Sequence, residues 1–488
     1  MLHAAHLPAA SGASHATAAD AAITAITADS RQVAAGTLFA ALPGARSDGC
    51  RFIADAVARG AVAVLAPAGT QWPPGVPARP LIEDPEPRRA LARLAAIHAG
   101  AQPATVAAVT GTNGKTSTVE FLRQLWTLEG LAAASLGTLG VVAPGRSPGG
   151  GLTTPDPVAL ARTLAELARD GVAHAAMEAS SHGLDQFRLE GVRLAAAGFS
   201  NLTRDHLDYH GSFDAYRAAK LRLFAELLPA GAPCVANADM DPATFAALRG
   251  IADARRLELR SVGEAGTWVR LVRATPRPDG LLLDLVVGGT ARSLHLPLAG
   301  RFQAENALLA AGLAEATGTT GALDRIGQLR GVRGRLELVV RVGGAAAYVD
   351  YAHTPDALAR LLAALRPHTA GRLVCVFGAG GDRDAGKRAP MGAAVAAGAD
   401  QAIVTDDNPR TEDAGAIRAA LLAGCPGATE IGDREAAIAA GLDGLRAGDV
   451  LVVAGKGHES GQTVGATTVP FDDAAVLRRL VSAPVVSA

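Results

Sequence analysis

Ala104-Thr-Val-Ala-Ala-Val-Thr-Gly-Thr-Asn-Gly-Lys-Thr-Ser117 is the stretch on which the reading of the fold turns. Residues 104–109 have the length and apolar content of a buried strand, and Val119 to Leu128 repeats apolar residues at helical spacing. Strand, glycine loop and helix in that order make a phosphate-binding unit, because the backbone N–H groups that open a helix have no partner within it and point at an anion. Gly111, Thr112, Asn113 and Gly114 supply such donors, Lys115 a compact ammonium for the β- and γ-phosphates, and Thr116 a hydroxyl for magnesium. The strict GxxxxGK[ST] spacing fails, since its first glycine would fall on Val109. The strand before and the helix after favour a functional loop over a chance string.

Downstream, Met177-Glu-Ala-Ser-Ser-His-Gly-Leu184 follows a short apolar strand, and Asn201-Leu-Thr-Arg-Asp-His-Leu-Asp-Tyr-His-Gly211 gathers acidic and histidine residues in a loop. Magnesium takes hard oxygen ligands and tolerates an imidazole, so Glu178 and His206 are expected as ligands near the phosphates. After Gly331, strands at Ala345 to Val349, Leu373 to Phe377, Gln401 to Val404 and Val450 to Val453 each run into a polar or glycine-rich loop. In an open parallel sheet those loops gather at the carboxyl ends of the strands, where ligands bind. Before Gly100, short apolar runs such as Ala61 to Ala66 alternate with proline-rich loops such as Gln71 to Pro80.

The expected fold class is therefore α/β with three domains: a small α/β domain at 1–99, a central P-loop-type parallel-sheet domain at 100–332, and a C-terminal Rossmann-like doubly wound domain at 333–488. The glycine- and proline-rich stretch Ala143 to Gly151 predicts a mobile loop, and no internal repeat is present.

The chain has 488 residues, 49% apolar and 19% charged, with net charge -1. That balance provides no diffuse basic field for nucleic acid or an anionic membrane, so anionic ligands must be met by local sites. The first basic side chain is Arg31, and no apolar run is long enough to span a bilayer, so neither a signal peptide nor a membrane anchor is expected and the cytoplasm is the default. Cys50, Cys234, Cys375 and Cys425 are far apart and suggest neither zinc nor disulfides. Only four of the 46 basic residues are lysines: Lys115, Lys220, Lys387 and Lys456. Arginine and lysine are not chemically interchangeable, and each of these lysines lies in a segment already marked by glycine, histidine or aspartate, which points to positions needing a compact or reactive amine.

The ordered motifs together resemble the Mur ligases over nearly the whole chain. They comprise Asp29-Ser-Arg31 with Gly36 and Leu38-Phe39, the 110–116 loop, Thr153-Thr154, 178–184, 201–211, Lys220-Leu-Arg-Leu-Phe224, Gly334-Arg-Leu-Glu337, Val349-Asp-Tyr-Ala-His-Thr-Pro-Asp356, Gly380-Gly-Asp-Arg-Asp384, Asp407-Asn-Pro-Arg410 and Ala454-Gly-Lys-Gly-His-Glu459. The pattern is most similar to the branch that attaches the third peptide residue. The resemblance implies carbamylation of Lys220, which turns a cation into a carboxylate able to join Thr116, Glu178 and His206 around magnesium. It implies Lys115, Lys220, Glu178 and His206 as the catalytic set, and ATP contacts from Gly111 to Ser117 and from Asn306, Arg335, Asp350, Tyr351 and His353. Ser30, Thr153, Thr154, Ser180, Gln186 and Arg188 match positions that hold the UDP-linked muramoyl dipeptide. Arg383, Asp407, Asn408, Arg410, Gly455 and Glu459 match a diaminopimelate site, where Arg410 pairs with the distal carboxylate and would repel lysine's ammonium.

Three local departures stand out: Gly386-Lys-Arg-Ala-Pro390 shifts a proline by one, 300–306 reads Gly-Arg-Phe-Gln-Ala-Glu-Asn, and Ser460-Gly461 replaces a bulkier pair. The implied reaction is ATP-dependent ligation of meso-diaminopimelate to UDP-N-acetylmuramoyl-L-alanyl-D-glutamate through an acyl phosphate, with magnesium as cofactor, by a monomer whose second and third domains close on each other. Lysine as acceptor, a folylpolyglutamate-synthase-like ligase, and a nucleotide-dependent regulator that has lost catalysis are the alternatives. The first domain and the 407–410 string argue against the second, and retention of Lys115, Glu178, His206 and Lys220 against the third.

Overall fold

The computed structural model describes residues 2–3, 22–44, 47–146 and 151–482. Of the stretch expected to be mobile, residues 147–150 lie outside the described residues. The fold is mixed α/β with largely parallel sheets, and it divides into two compact units.

The first unit holds Met1–Lys115, Leu122–Arg260 and Leu313–Thr320. Strands Ala25–Thr27, Thr37–Ala40, Ala61–Pro67 and Leu81–Asp84 pair in that order, all parallel. Leu38, Phe39 and Ala40 are fully buried, as the continuous apolar run of a strand covered on both faces requires. Helix Pro87–Ala99 then lies so close to Gly191 that a Cβ there would sit 2.4 Å from the Ala96 Cβ. The Gln102 amide closes the same seam, donating to the Gly191 carbonyl at 2.8 Å and accepting from the Arg193 N–H at 3.0 Å. Packing and hydrogen bonds of this kind bind the N-terminal sheet and the central sheet into one unit.

The central sheet of this unit runs in the order Pro233–Asn237, Ala196–Phe199, Thr105–Thr110, His174–Glu178, Ala133–Gly137, all parallel, with Gly140–Val142 antiparallel at the edge. The phosphate-loop strand is thus central, and the loops after its two neighbours open on the same sheet edge. The strand predicted over 104–109 is Thr105–Thr110, and the helix that follows begins at Lys115, four residues before its apolar repeat. Helix Pro157–Arg169 is set by Asp156, whose carboxylate accepts from the Val158 and Ala159 N–H groups, with proline at the first helical position.

The second unit holds Thr116–Phe121, Ser261–Gly312 and Gly321–Ala488. Strands Val269–Arg277, Gly280–Val287 and Thr290–Leu296 form an antiparallel meander. A six-stranded sheet follows, ordered Glu337–Val342, Ala345–Asp350, Val450–Ala454, Leu373–Phe377, Gln401–Val404, Thr429–Glu430. All its pairings are parallel except the first. The strand order reverses where Val450–Ala454 lies between Ala345–Asp350 and Leu373–Phe377, the switch point at which a doubly wound sheet opens a crevice. Beneath it, Arg434 and Asp473 pair at 2.7 and 2.8 Å with both side chains fully buried. The same guanidinium donates to the Ala454 and Asp406 carbonyls, so one buried charge pair fixes two of the loops on that crevice. No signal in the sequence marked this pair.

Candidate active site

Gly111 and Gly114 have φ of 148° and 83°, conformations that L side chains rarely adopt, and a Cβ on Gly111 would meet the Ser200 Oγ at 2.0 Å. The loop is clamped from the neighbouring strand end. The Thr112 N–H donates to the Asn201 carbonyl, the Asn113 N–H to the Asn201 amide oxygen, and the Ser200 hydroxyl to the Asn113 carbonyl at 2.6 Å. Asn201 and Ser200 therefore shape the phosphate loop, a function their motif alone did not reveal.

Two ammonium groups meet at this loop. The Lys115 Nζ donates to the Gly111 and Thr112 carbonyls, both at 2.9 Å, and the Lys220 Nζ donates to the same Gly111 carbonyl at 2.8 Å. Lys220 is 1% exposed and stands 4.6 Å over the Tyr216 ring. Burial, and then the Lys115 charge, hold its pKa well below the ordinary lysine value. The Tyr216 hydroxyl shares a hydrogen bond with the Thr112 hydroxyl at 3.0 Å, and burial pushes its pKa up to about 12. Thr116 and Ser117 open helix Lys115–Leu128 and are buried.

Glu178 ends the strand beside the phosphate-loop strand and is 1% exposed. Its carboxylate accepts from the Thr138 N–H at 2.8 Å and lies where a Gly137 Cβ would be, 2.1 Å from Oε1. Gly137 and Thr138 are thus positioning residues that the sequence did not flag. Gly137→Ala is expected to push the carboxylate aside and lower kcat by about 100-fold, the penalty of an ångström-scale misplacement. Unchanged kcat in a variant with the wild-type melting temperature would refute that role for Gly137.

His206 sits in the left-handed region at φ 51°, ahead of the short helix Leu207–His210, with its Nε2 3.4 Å from the Asp205 carboxylate. Its ring is edge-on to His182 at 4.9 Å and 6.3 Å from the Tyr216 ring. Among the described residues no three histidine, cysteine, aspartate or glutamate side chains converge as a metal-ligand group. Glu178 and His206 carry donors of the kind magnesium accepts, and a carbamate on Lys220, a buried amine of depressed pKa, would add a further oxygen ligand.

Thr153, Thr154, Ser180, Gln186 and Arg188, five of the six residues expected to hold the muramoyl dipeptide, are brought together. The Thr154 hydroxyl donates to the Glu178 carbonyl and accepts from the Ser180 N–H, and Thr153 pairs with Thr138 at 3.1 Å. Arg188 donates to the Thr154 carbonyl at 2.6 Å and to the Gln186 side chain at 2.7 Å. Gln186 and Arg188 also line a cleft of about 360 Å³ together with Thr27, Asp29, Gln32, Arg88 and Asp156. Ser30 starts the 3-10 turn Ser30–Gln32 but does not line that cleft; Thr27, Gln32, Arg88 and Asp156 do, and no motif announced them.

In the second unit, Arg335 stands 4.6 Å over the Tyr351 ring, which is flanked by His353 at 4.6 Å and His458 at 5.2 Å. Burial lowers the His458 pKa to about 4, so the ring is neutral at physiological pH. Asp350 accepts from the Leu336 and Ala352 N–H groups, and Asn306 connects through Gln303 to the Arg335 carbonyl. Asn306, Arg335, Asp350, Tyr351 and His353, five of the residues expected at the nucleotide, thus fall in one neighbourhood.

The acceptor residues cluster likewise. The Asn408 amide donates to Glu459 at 2.9 Å, Asp407 is 7% exposed, and a Cβ on Gly455 would meet the Asp407 carboxylate at 2.5 Å. Arg410 adopts φ 53° and donates to the Gly381 carbonyl at 2.7 Å, and Gly380 leaves room for its guanidinium. Arg383 is exposed on the loop after strand Leu373–Phe377.

Three family descriptions match along the chain: the Mur ligase family catalytic domain over residues 22–99, the Mur ligase middle domain over 109–314, and the Mur ligase glutamate ligase domain over 334–457. The chain belongs to the Mur ligase family. It is 53% identical over 457 residues, 93% of each chain, to the UDP-N-acetylmuramoyl-L-alanyl-D-glutamate--2,6-diaminopimelate ligase of Rhizobium meliloti, and 56% identical over 458 residues to that of Caulobacter vibrioides, covering 92% of this chain and 93% of the relative. A solved structure of a ligase of the same name superposes with TM-score 0.70 at 33% identity, covering 94% of both chains. The Mycobacterium tuberculosis folylpolyglutamate synthase complexed with ADP, at 20% identity and TM-score 0.60 over 81% of this chain, shares the fold.

Proposed function

We propose that this protein joins meso-diaminopimelate to the D-glutamate γ-carboxylate of UDP-N-acetylmuramoyl-L-alanyl-D-glutamate, with ATP as the source of an acyl phosphate. The observation that carries this reading is the Asp407–Arg410 loop: a guanidinium held in the recess at Gly380 and donating to the Gly381 carbonyl, with Asn408 of the same loop paired to Glu459. It stands in a chain whose relatives at 53% and 56% identity are named for that ligation. A carboxylate on the acceptor's far end meets Arg410 in a charge-assisted pair, whereas the ammonium of lysine would be repelled.

In this reading Lys115 and the phosphate-loop N–H groups hold the triphosphate, while Thr154, Ser180, Gln186 and Arg188 hold the dipeptide. Thr116, Glu178, His206 and carbamylated Lys220 hold magnesium, which neutralises charge between the carboxylate and the phosphates. Arg335, Asp350, Tyr351, His353 and Asn306 receive the nucleotide, and Arg383, Asp407, Asn408, Arg410, Gly455 and Glu459 the acceptor. Domain limits of 1–99, 100–332 and 333–488 and a cytoplasmic location go with it. Among the described residues no helix is long and apolar enough to cross a membrane.

The test is phosphate release from ATP with UDP-muramoyl-alanyl-D-glutamate present, with either meso-diaminopimelate or L-lysine as acceptor. Turnover with diaminopimelate alone is expected, and preference for lysine would sink the assignment. Arg410→Ala is expected to raise the KM for diaminopimelate at least ~30-fold, since truncating one partner of a desolvated charge pair costs about 2 kcal/mol or more.

A further inference from the structure

The proposed reaction gives no role to Lys456, yet this lysine is fully buried. Its Nζ donates to the Asn408 side-chain oxygen at 3.1 Å and to the Gly461 carbonyl at 2.5 Å, and lies 3.5 Å from the Glu459 carboxylate. Gly461 opens the hairpin Gly461–Val464 and Thr467–Pro470. That hairpin is stitched to the 407–410 loop at successive positions. The Gln462 amide donates to the Asp407 carbonyl at 2.8 Å, and the Thr463 N–H to the Asn408 side-chain oxygen at 2.9 Å. The Arg410 N–H donates to the Thr463 carbonyl at 3.0 Å, and the Gly465 N–H to the Arg410 carbonyl at 2.7 Å. Arg410 is held in the left-handed region, a conformation an arginine keeps only when its surroundings impose it.

From this geometry we infer that Lys456 is a positioning residue: its buried ammonium clips the hairpin strand Gly461–Val464 to the Asp407–Arg410 loop and so sets the orientation of Asn408, Glu459 and Arg410 toward the acceptor amino acid. The inference deepens the proposed function and rests on its placing of the acceptor. Three donor directions are needed at once, toward an amide oxygen, a carbonyl and a carboxylate. A tetrahedral ammonium supplies them and a planar guanidinium does not, which accounts for a lysine at this position in a chain that otherwise uses arginine. Charge supplies the rest: with Glu459 and Asp407 beside it, the ammonium orders carboxylates that would otherwise repel each other.

Steady-state kinetics of Lys456→Met and Lys456→Arg, each substrate varied in turn, test this. The KM for meso-diaminopimelate is expected to rise tenfold or more in both, while the KM values for ATP and the UDP-linked dipeptide stay within twofold. A general loss of structure would move all three and lower the affinity for ADP. Gln462→Ala removes a second stitch on the same seam from a half-buried position and is expected to raise the diaminopimelate KM three- to tenfold. If no variant that retains ADP binding shifts the diaminopimelate KM, the inference is overturned. Failure of the unmodified protein to use diaminopimelate at all would overturn the proposed function instead, so the two failures are distinguishable.

Discussion

Replacing Lys220 by methionine is expected to lower kcat by about 10³-fold or more, with the fold intact and ADP still bound. The side chain is 1% exposed and surrounded by Tyr216, the Gly111 carbonyl and the Lys115 charge. Methionine fills that space without a charge, so packing survives while the proposed carbamate is lost. Removal of one preorganised electrostatic group typically costs ~10²–10³ in kcat, and a group that also bridges a metal costs more. Lys220→Arg should fare no better, since a guanidinium cannot be carbamylated. Partial recovery of Lys220→Ala, which leaves space for the anion, by added short-chain carboxylates would support a carbamate, and full activity of Lys220→Met or Lys220→Ala would eliminate it.

The same lysine gives a pH dependence with a definite sign. In the unmodified protein its folded pKa lies well below the unfolded value near 10.5, so between those two pH values the unfolded chain binds a proton that the folded chain does not. Stability contributed by this group therefore rises with pH across that window, and the neutral amine that reacts with carbon dioxide grows over the same range. Carbamylation, read by mass spectrometry under gentle conditions or by activity after carbon dioxide depletion, should increase with pH accordingly.

Lys115→Arg is expected to lower kcat/KM for ATP by about 10³-fold, as severe as Lys115→Met. The ammonium folds back onto the Gly111 and Thr112 carbonyls, both at 2.9 Å, two bonds from one compact tetrahedral head that a longer, planar guanidinium does not reproduce. A charge-conserving exchange should thus fail on shape, where a surface lysine would tolerate it. Lys115→Met carries a second expected result. The Lys115 charge is one cause of the depressed Lys220 pKa, so its removal should move Lys220 carbamylation to higher pH. An arginine variant with near wild-type turnover would refute the shape argument, and an unshifted carbamylation profile would refute the coupling.

The phosphate loop, the strand before it and the helix after it were legible because each is set by local chemistry: an apolar run, two glycines at positive φ, and apolar residues repeating at helical spacing. Glu178, His206, Lys220 and the 407–410 string were legible for a related reason, since each lies in a short segment dense in reactive residue types. Gly137 and Thr138 were not, because what matters about them is the Glu178 carboxylate 40 residues away in sequence. Thr27, Gln32, Arg88 and Asp156 come from three separate segments and share a cleft only after helix Pro87–Ala99 has packed beside Gly191. Lys456 was visible as a rare lysine, but its work depends on a hairpin and a loop meeting around it. The sequence by itself determined the chemistry available at each strand end, because glycine conformations, charges and apolar periodicity are properties of neighbouring residues. Only the tertiary structure decided which of those groups share a carbonyl, a cleft or a buried charge, because such proximity is set by strand order and packing between segments far apart in the chain.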